Sequence, residues 1–80
     1  MRRALIGQLD YIAHEITRLS TLIGEAERTA DINPETRWFV VEAQTQKREL
    51  DALRSSVKHS REQLIIRGSA REKLADFEEP

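Results

Sequence analysis

Two histidines are the side chains of this sequence that come nearest to a metal-binding pattern. His14 is followed by Glu15, as in the helical His-Glu-x-x-His motif of zinc proteases, but Arg18 occupies the place of the second histidine. His59 falls on the outer side of the second predicted helix. We therefore expect both histidines to be exposed to solvent and predict no metal site.

Three carboxylates, Glu25, Glu27 and Asp31, lie close together before a predicted turn. Acid–base catalysis needs a cavity that shifts a carboxyl pKa, and a two-layer helical hairpin offers no closed cavity of that kind. The chain also lacks a glycine-rich phosphate-binding loop. The sequence thus predicts a protein that is not an enzyme, with no cofactor and no small-molecule substrate.

A basic stripe repeats at one heptad position and has one further cation beside it; its members are Lys47, Arg54, Lys58 and Arg61. The predicted neighbours across the hairpin are not acidic; for Lys47, Arg54 and Arg61 they are Ser20, Ala13 and Ile6. The stripe is then a solvated face, a surface that steers an acidic protein partner, or a site for nucleic-acid phosphates. The net charge of −1, from 13 basic and 14 acidic side chains, disfavours the nucleic-acid alternative.

Two runs of residues at heptad spacing predict the helices that carry these side chains. The first run is Leu5, Leu9, Ile12, Ile16, Leu19, Ile23, Ala26 and Ala30, and the second is Phe39, Ala43, Gln46, Leu50, Leu53, Val57, Ser60 and Leu64. A short polar connection separates them, so the fold class is predicted to be all-α, an antiparallel coiled-coil hairpin.

The helix boundaries follow from local signals. Helix 1 is expected over about residues 3–30, the turn over 31–33 and helix 2 over about 34–67, with Asn33 as N-cap and Pro34 in the first helical position. Gly68 should end helix 2. Residues 68–80 are predicted to form a short third helix, opened by a Ser69 and Glu72 capping box, and an acidic tail.

Several large apolar side chains are left over by this hairpin. Trp38 and Val41 point outward, either as an interface or packed under a loop or the third helix. Helix 1 is expected to run out opposite about Arg61, so the end of helix 2 overhangs. The overhanging residues are Leu64, Ile65 and Ile66, and they either dock another chain or are covered by Leu74 and Phe77 of the third helix.

Length and composition bound the rest. Eighty residues without cysteine, with 34% charged residues and four aromatic ones, bury only a thin core. A second copy, giving a dimeric four-helix bundle, or a different protein would complete that core. Arg2 and Arg3 open the chain, but the apolar run after them is interrupted, so we expect no signal peptide, no membrane span and a cytoplasmic location.

Asn33-Pro34-Glu35, leading into Trp38-Phe39, resembles the turn of the small hairpin co-chaperones of type III secretion. That resemblance implies a hairpin that binds a second chaperone and, with it, the needle subunit. The segment Lys47–Asp51 is similar to the Ser-Gln-Glu-Leu-Asp motif of the hairpin phosphatases of sporulation phosphorelays only at Glu49, Leu50 and Asp51. Leu50 already belongs to the heptad run, which explains this match.

From these features we expect a small protein–protein interaction module of a bacterium or phage: an adaptor, a chaperone-like cofactor or a regulatory inhibitor. The predicted contacts with the protein partner are Trp38, Val41, Ile65, Ile66, Leu74 and Phe77, with Lys47, Arg54, Lys58 and Arg61 steering it. A small dimeric nucleic-acid-binding regulator is the alternative.

Overall fold

The computed structural model describes the backbone of residues 1–78 and the side chains of residues 1–69. It contains two helices, α1 (Arg2–Ile32) and α2 (Phe39–Glu78), and no strand within the described residues. The helices pack antiparallel in a rod of 73 × 16 × 12 Å. The predicted all-α hairpin is confirmed. The side chains of Leu74 and Phe77 lie outside the described residues.

The predicted end of helix 2 at Arg67 is wrong, and the structure does not show a separate third helix. α2 continues through Gly68 to Glu78. In the described chain no glycine has a positive φ, so Gly68 is not a left-handed helix cap. Gly68 is buried, and Arg2 lies where its side chain would be. The start of α1 therefore packs against this glycine of α2.

The loop between the helices is longer than the sequence predicts, because α2 begins at Phe39 and not at Pro34. The Asn33 Oδ1 accepts a hydrogen bond from the Glu35 N–H at 2.9 Å. The N–H groups of Thr36 and Phe39 donate to carbonyls three residues back, so consecutive turns and no helix follow Asn33. The prediction of Asn33 as the N-cap of helix 2 is therefore wrong. The Thr36 hydroxyl donates to the Ala30 carbonyl at 2.9 Å and so gives one of the last carbonyls of α1 a hydrogen-bond partner.

This longer loop shifts the register of the two helices. Lys47 pairs with Glu27, seven residues away from the predicted neighbour Ser20, and Arg61 pairs with Asp10 where Ile6 was predicted. The N-terminus of α1 consequently reaches Gly68. The predicted overhang of Leu64, Ile65 and Ile66 beyond helix 1 is therefore wrong: Leu64 lies beside Leu5 in a shared groove.

Three columns of side chains at seven-residue spacing describe each helix. On α1 the inner column is Leu9, Ile16, Ile23 and Ala30, the polar-side column is Ile6, Ala13, Ser20 and Glu27, and the apolar-side column is Leu5, Ile12, Leu19 and Ala26. On α2 they are Ala43, Leu50, Val57 and Leu64; then Val40, Lys47, Arg54 and Arg61; then Phe39, Gln46, Leu53 and Ser60. Inner and polar-side columns are buried or half-buried, so these two columns form the hairpin contact.

Half of each predicted heptad run is confirmed by this packing, namely the two inner columns. The other half is wrong by one residue, because the apolar-side columns were predicted to face the opposite helix. All of their members except Phe39 are instead exposed. The helices are thus rotated relative to the prediction, and each leaves its apolar-side column outside the hairpin.

Gly24→Ala should stabilise the hairpin. A Cβ at this position would meet no atom within 4 Å, so alanine adds helix propensity without a clash and should raise the free energy of unfolding by about 1 kcal/mol. Urea denaturation followed by circular dichroism measures the change. Gly68→Ala is the control, because its Cβ overlaps the Arg2 guanidinium and the gain should be smaller. Equal midpoints for Gly24→Ala and the parent would contradict the prediction.

Candidate protein-interaction surface

The hairpin has two long sides of opposite character. On the polar side, Leu9 and Asp10 of α1 line one depression with Lys58 and Arg61 of α2. On the opposite side, Leu5 of α1 shares a groove with Leu64 and Arg67 of α2. In an antiparallel pair the same flank of each helix faces the same way, so each apolar-side column stands beside the other.

The polar side is closed near the loop by a carboxylate held between two donors. Glu27 of α1 accepts hydrogen bonds from Gln44 Nε2 at 3.2 Å and from Lys47 Nζ of α2. The hydrogen bond from Lys47 is the main cause that lowers the pKa of Glu27 below its ordinary value of 4.5; partial burial opposes it. Folding of the hairpin therefore favours the ionised form of Glu27.

Because the pKa of Glu27 is lower in the folded chain, its stabilising effect is present above about pH 4.5 and is lost as the pH falls through the lowered folded value. We expect the free energy of unfolding to decrease over this acid range and to decrease less in Glu27→Gln. Urea denaturation at a series of pH values tests this expectation. Glu25→Gln, on the exposed surface of the same helix, controls for the loss of a carboxylate. An identical acid response in the parent and Glu27→Gln would refute it.

The predicted basic stripe lies on this polar side, but its environment differs from the prediction. The expectation that its cross-hairpin neighbours are not acidic is wrong for Lys47, which pairs with Glu27, and for Arg61, which pairs with Asp10. Lys47, Arg54 and Arg61 are half-buried, so their aliphatic stems cover the seam while their charges reach its edge. Lys58 is exposed beside them.

The opposite side carries a set of exposed large apolar side chains that we call the apolar face. Its members are Leu5, Ile12, Leu19, Leu22 and Leu53, between 40% and 51% exposed. Leu5, Ile12 and Leu19 repeat every seven residues along α1. Leu53 lies in the apolar-side column of α2, which stands beside that of α1. The stripe therefore runs along α1 and is joined on α2 by Leu53, as in a helix face that packs against further helices.

No family model, curated protein or solved structure matches this chain. Its candidate site therefore rests on the surface itself.

The remaining predicted contacts lie away from the apolar face. Trp38 and Val41 point outward at the loop end, 68% and 64% exposed, and the Trp38 ring stands edge-on to Phe39 at 5.9 Å between centroids. This geometry matches the predicted outward direction. Ile65 and Ile66 are also exposed, on the flank and outer side of α2. Their role as contacts remains a prediction.

Within the described residues, no group of three His, Cys, Asp or Glu side chains is placed to hold a metal ion. In the same part of the chain, neither helix has a stretch apolar enough to cross a membrane.

The apolar face is the feature that the sequence reading missed, although its residues were all visible. Leu5, Ile12 and Leu19 were assigned to the inside of the hairpin because they fit the heptad run. A signal existed in the neighbouring column, where Ile6 and Ala13 offer a second apolar partner for the inner column. Three adjacent columns are more than one opposite helix covers.

Proposed function

We propose that this chain is a small non-enzymatic protein-interaction module that binds helices of another polypeptide chain through its apolar face. The observation that supports this most is the seven-residue repeat of exposed Leu5, Ile12 and Leu19 along one side of α1. Isolated exposed leucines are common on protein surfaces, whereas a continuous apolar stripe is typical of a contact surface.

The distribution of charge supports the same side. Lys47 and Arg61 of the polar side already have carboxylate partners within the chain. Binding to nucleic-acid phosphates would compete with these ion pairs, so the nucleic-acid alternative has less support. Among residues 1–69, in contrast, the members of the apolar face stay 40–51% exposed, and covering them with another chain would be favourable because it removes apolar surface from water.

Site-specific photo-crosslinking in the cell of origin tests the proposal. A photoreactive residue at Leu19 lies on the apolar face, and the same residue at Thr17 lies on the polar flank of the same helix as a control. We expect covalent adducts with a protein chain at position 19 and few at position 17, with mass spectrometry identifying the adduct. No adduct at position 19 above the control would overturn the proposed function.

A further inference from the structure

We infer that the occupant of the apolar face is a second copy of this chain, so that two hairpins form a four-helix bundle with their apolar faces inside. The inference rests on the proposed function and names its partner. Three observations support it: the direction of the apolar stripe on α1, the area that the hairpin exposes, and the extension of the apolar face to Leu53 on α2.

The direction of the stripe distinguishes among possible occupants. The most apolar pair of columns on α1 is the inner and apolar-side pair, whose eight members are all apolar, whereas α2 covers the inner and polar-side pair. Each residue turns the helix by about 100°. Around the axis of α1, the direction midway between the inner and apolar-side columns therefore lies about 50° from the direction midway between the inner and polar-side columns.

A four-helix bundle requires nearly that angle. In a square array each helix directs its apolar stripe toward the central axis, about 45° from the direction of either neighbour. A single added helix would make a triangular array, in which that angle is about 30°. The offset of about 50° fits the square array, and a second hairpin supplies the two further helices that this array needs.

The exposed area agrees with this occupant. The chain exposes 6570 Å², whereas a compact monomer of 9.3 kDa exposes roughly 5000 Å². The excess of about 1500 Å² per chain amounts to about 3000 Å² for a pair, within the range of obligate homodimer interfaces.

One residue of α2 extends the apolar face. Leu53 stands in the apolar-side column of α2, on the same side as Leu19, although Gln46 and Ser60 in that column are polar. In a two-fold pair the stripe on α1 of each hairpin packs on the other hairpin, and Leu53 beside it is covered at the same time.

Light scattering on a size-exclusion column, over a dilution series of the purified full chain, tests the inference. We expect a mass near twice 9.3 kDa. The double variant Ile12→Asn and Leu19→Asn should raise the dimer dissociation constant by about 100-fold or more, because both side chains lose their burial. Circular dichroism should show that the variant stays helical, since both positions are already partly exposed in the hairpin.

A matched substitution locates the interface. Ile32→Asn makes the same change at the end of α1, where Ile32 is 82% exposed, and should leave the dimer intact. A dimer that Ile32→Asn dissociates and the double variant of Ile12 and Leu19 does not would overturn the inference. A monomer at every concentration would also overturn it. If crosslinking at Leu19 then captures a different protein, the proposed function stands without self-association; if it captures none, both fail.

Discussion

Ile16→Ala should remove about 2–5 kcal/mol from the free energy of unfolding, the typical cost of truncating a buried isoleucine to alanine. Ile16 is 4% exposed, and the other buried apolar side chains among residues 1–69 are Ala30 and Ala43. Ile16 is therefore the only member of this core larger than alanine. A hairpin of this size has little stability in reserve, so we expect a large fraction of the variant to be unfolded at 25 °C.

Ile32→Ala provides the matched control for that variant. It makes the same chemical change at the end of the same helix, but Ile32 is 82% exposed and should lose less than about 0.5 kcal/mol. Urea denaturation should be followed by circular dichroism at one fixed protein concentration, because self-association makes the midpoint depend on concentration. Equal losses in the two variants would show that Ile16 is not the centre of the core.

The heptad spacing predicted both helices and the inner columns correctly. The inner columns belong both to the predicted apolar run and to the surface that contacts the opposite helix. Ile16 and Leu50 lie between the helices whether the apolar stripe or the hairpin contact is followed. The choice of the second column was wrong, because the spacing identifies the most apolar direction of a helix. It does not tell which neighbour covers that direction.

Charged side chains in the seam explain why this choice was hidden in the sequence. Lys47 and Arg54 have charged side chains. A pattern that sorts residues only into apolar and polar therefore places them on the outside of the hairpin. Their long aliphatic stems nevertheless cover apolar surface while the charged ends reach solvent or a carboxylate such as Glu27. Leu53, which the pattern placed inside, then lies on the exposed apolar face.

The register could not be predicted because it depends on the loop. Asn33 and Pro34 carry a good helix start signal, but the hydrogen bond from the Glu35 N–H to Asn33 Oδ1 forms within a turn. The Thr36 hydroxyl nevertheless donates to the carbonyl of Ala30, and residues 34–38 remain in turns. This contact between the loop and α1 accompanies the shifted register, in which Lys47 pairs with Glu27 and not with the predicted neighbour Ser20.

Ala43→Leu should lose about 1–3 kcal/mol of the free energy of unfolding, because it overfills the most deeply buried position among residues 1–69. Ala43 is fully buried, on the same turn of α2 as Gln44 and Lys47, which hold Glu27. A leucine there pushes α2 away from α1 and separates those donors from the carboxylate. The acid dependence due to Glu27 should therefore weaken in the same variant, which is a second readout.

Ala52→Leu separates overpacking from the intrinsic preferences of the two residues. Position 52 is exposed on the outer side of α2, and alanine and leucine have similar helix propensities, so this variant should unfold at nearly the same urea concentration as the parent. If Ala43→Leu were equally neutral, the helices would have room at residue 43. In that case the contact that sets the register would have to lie elsewhere, with the Glu27 ion pair following the packing of another layer.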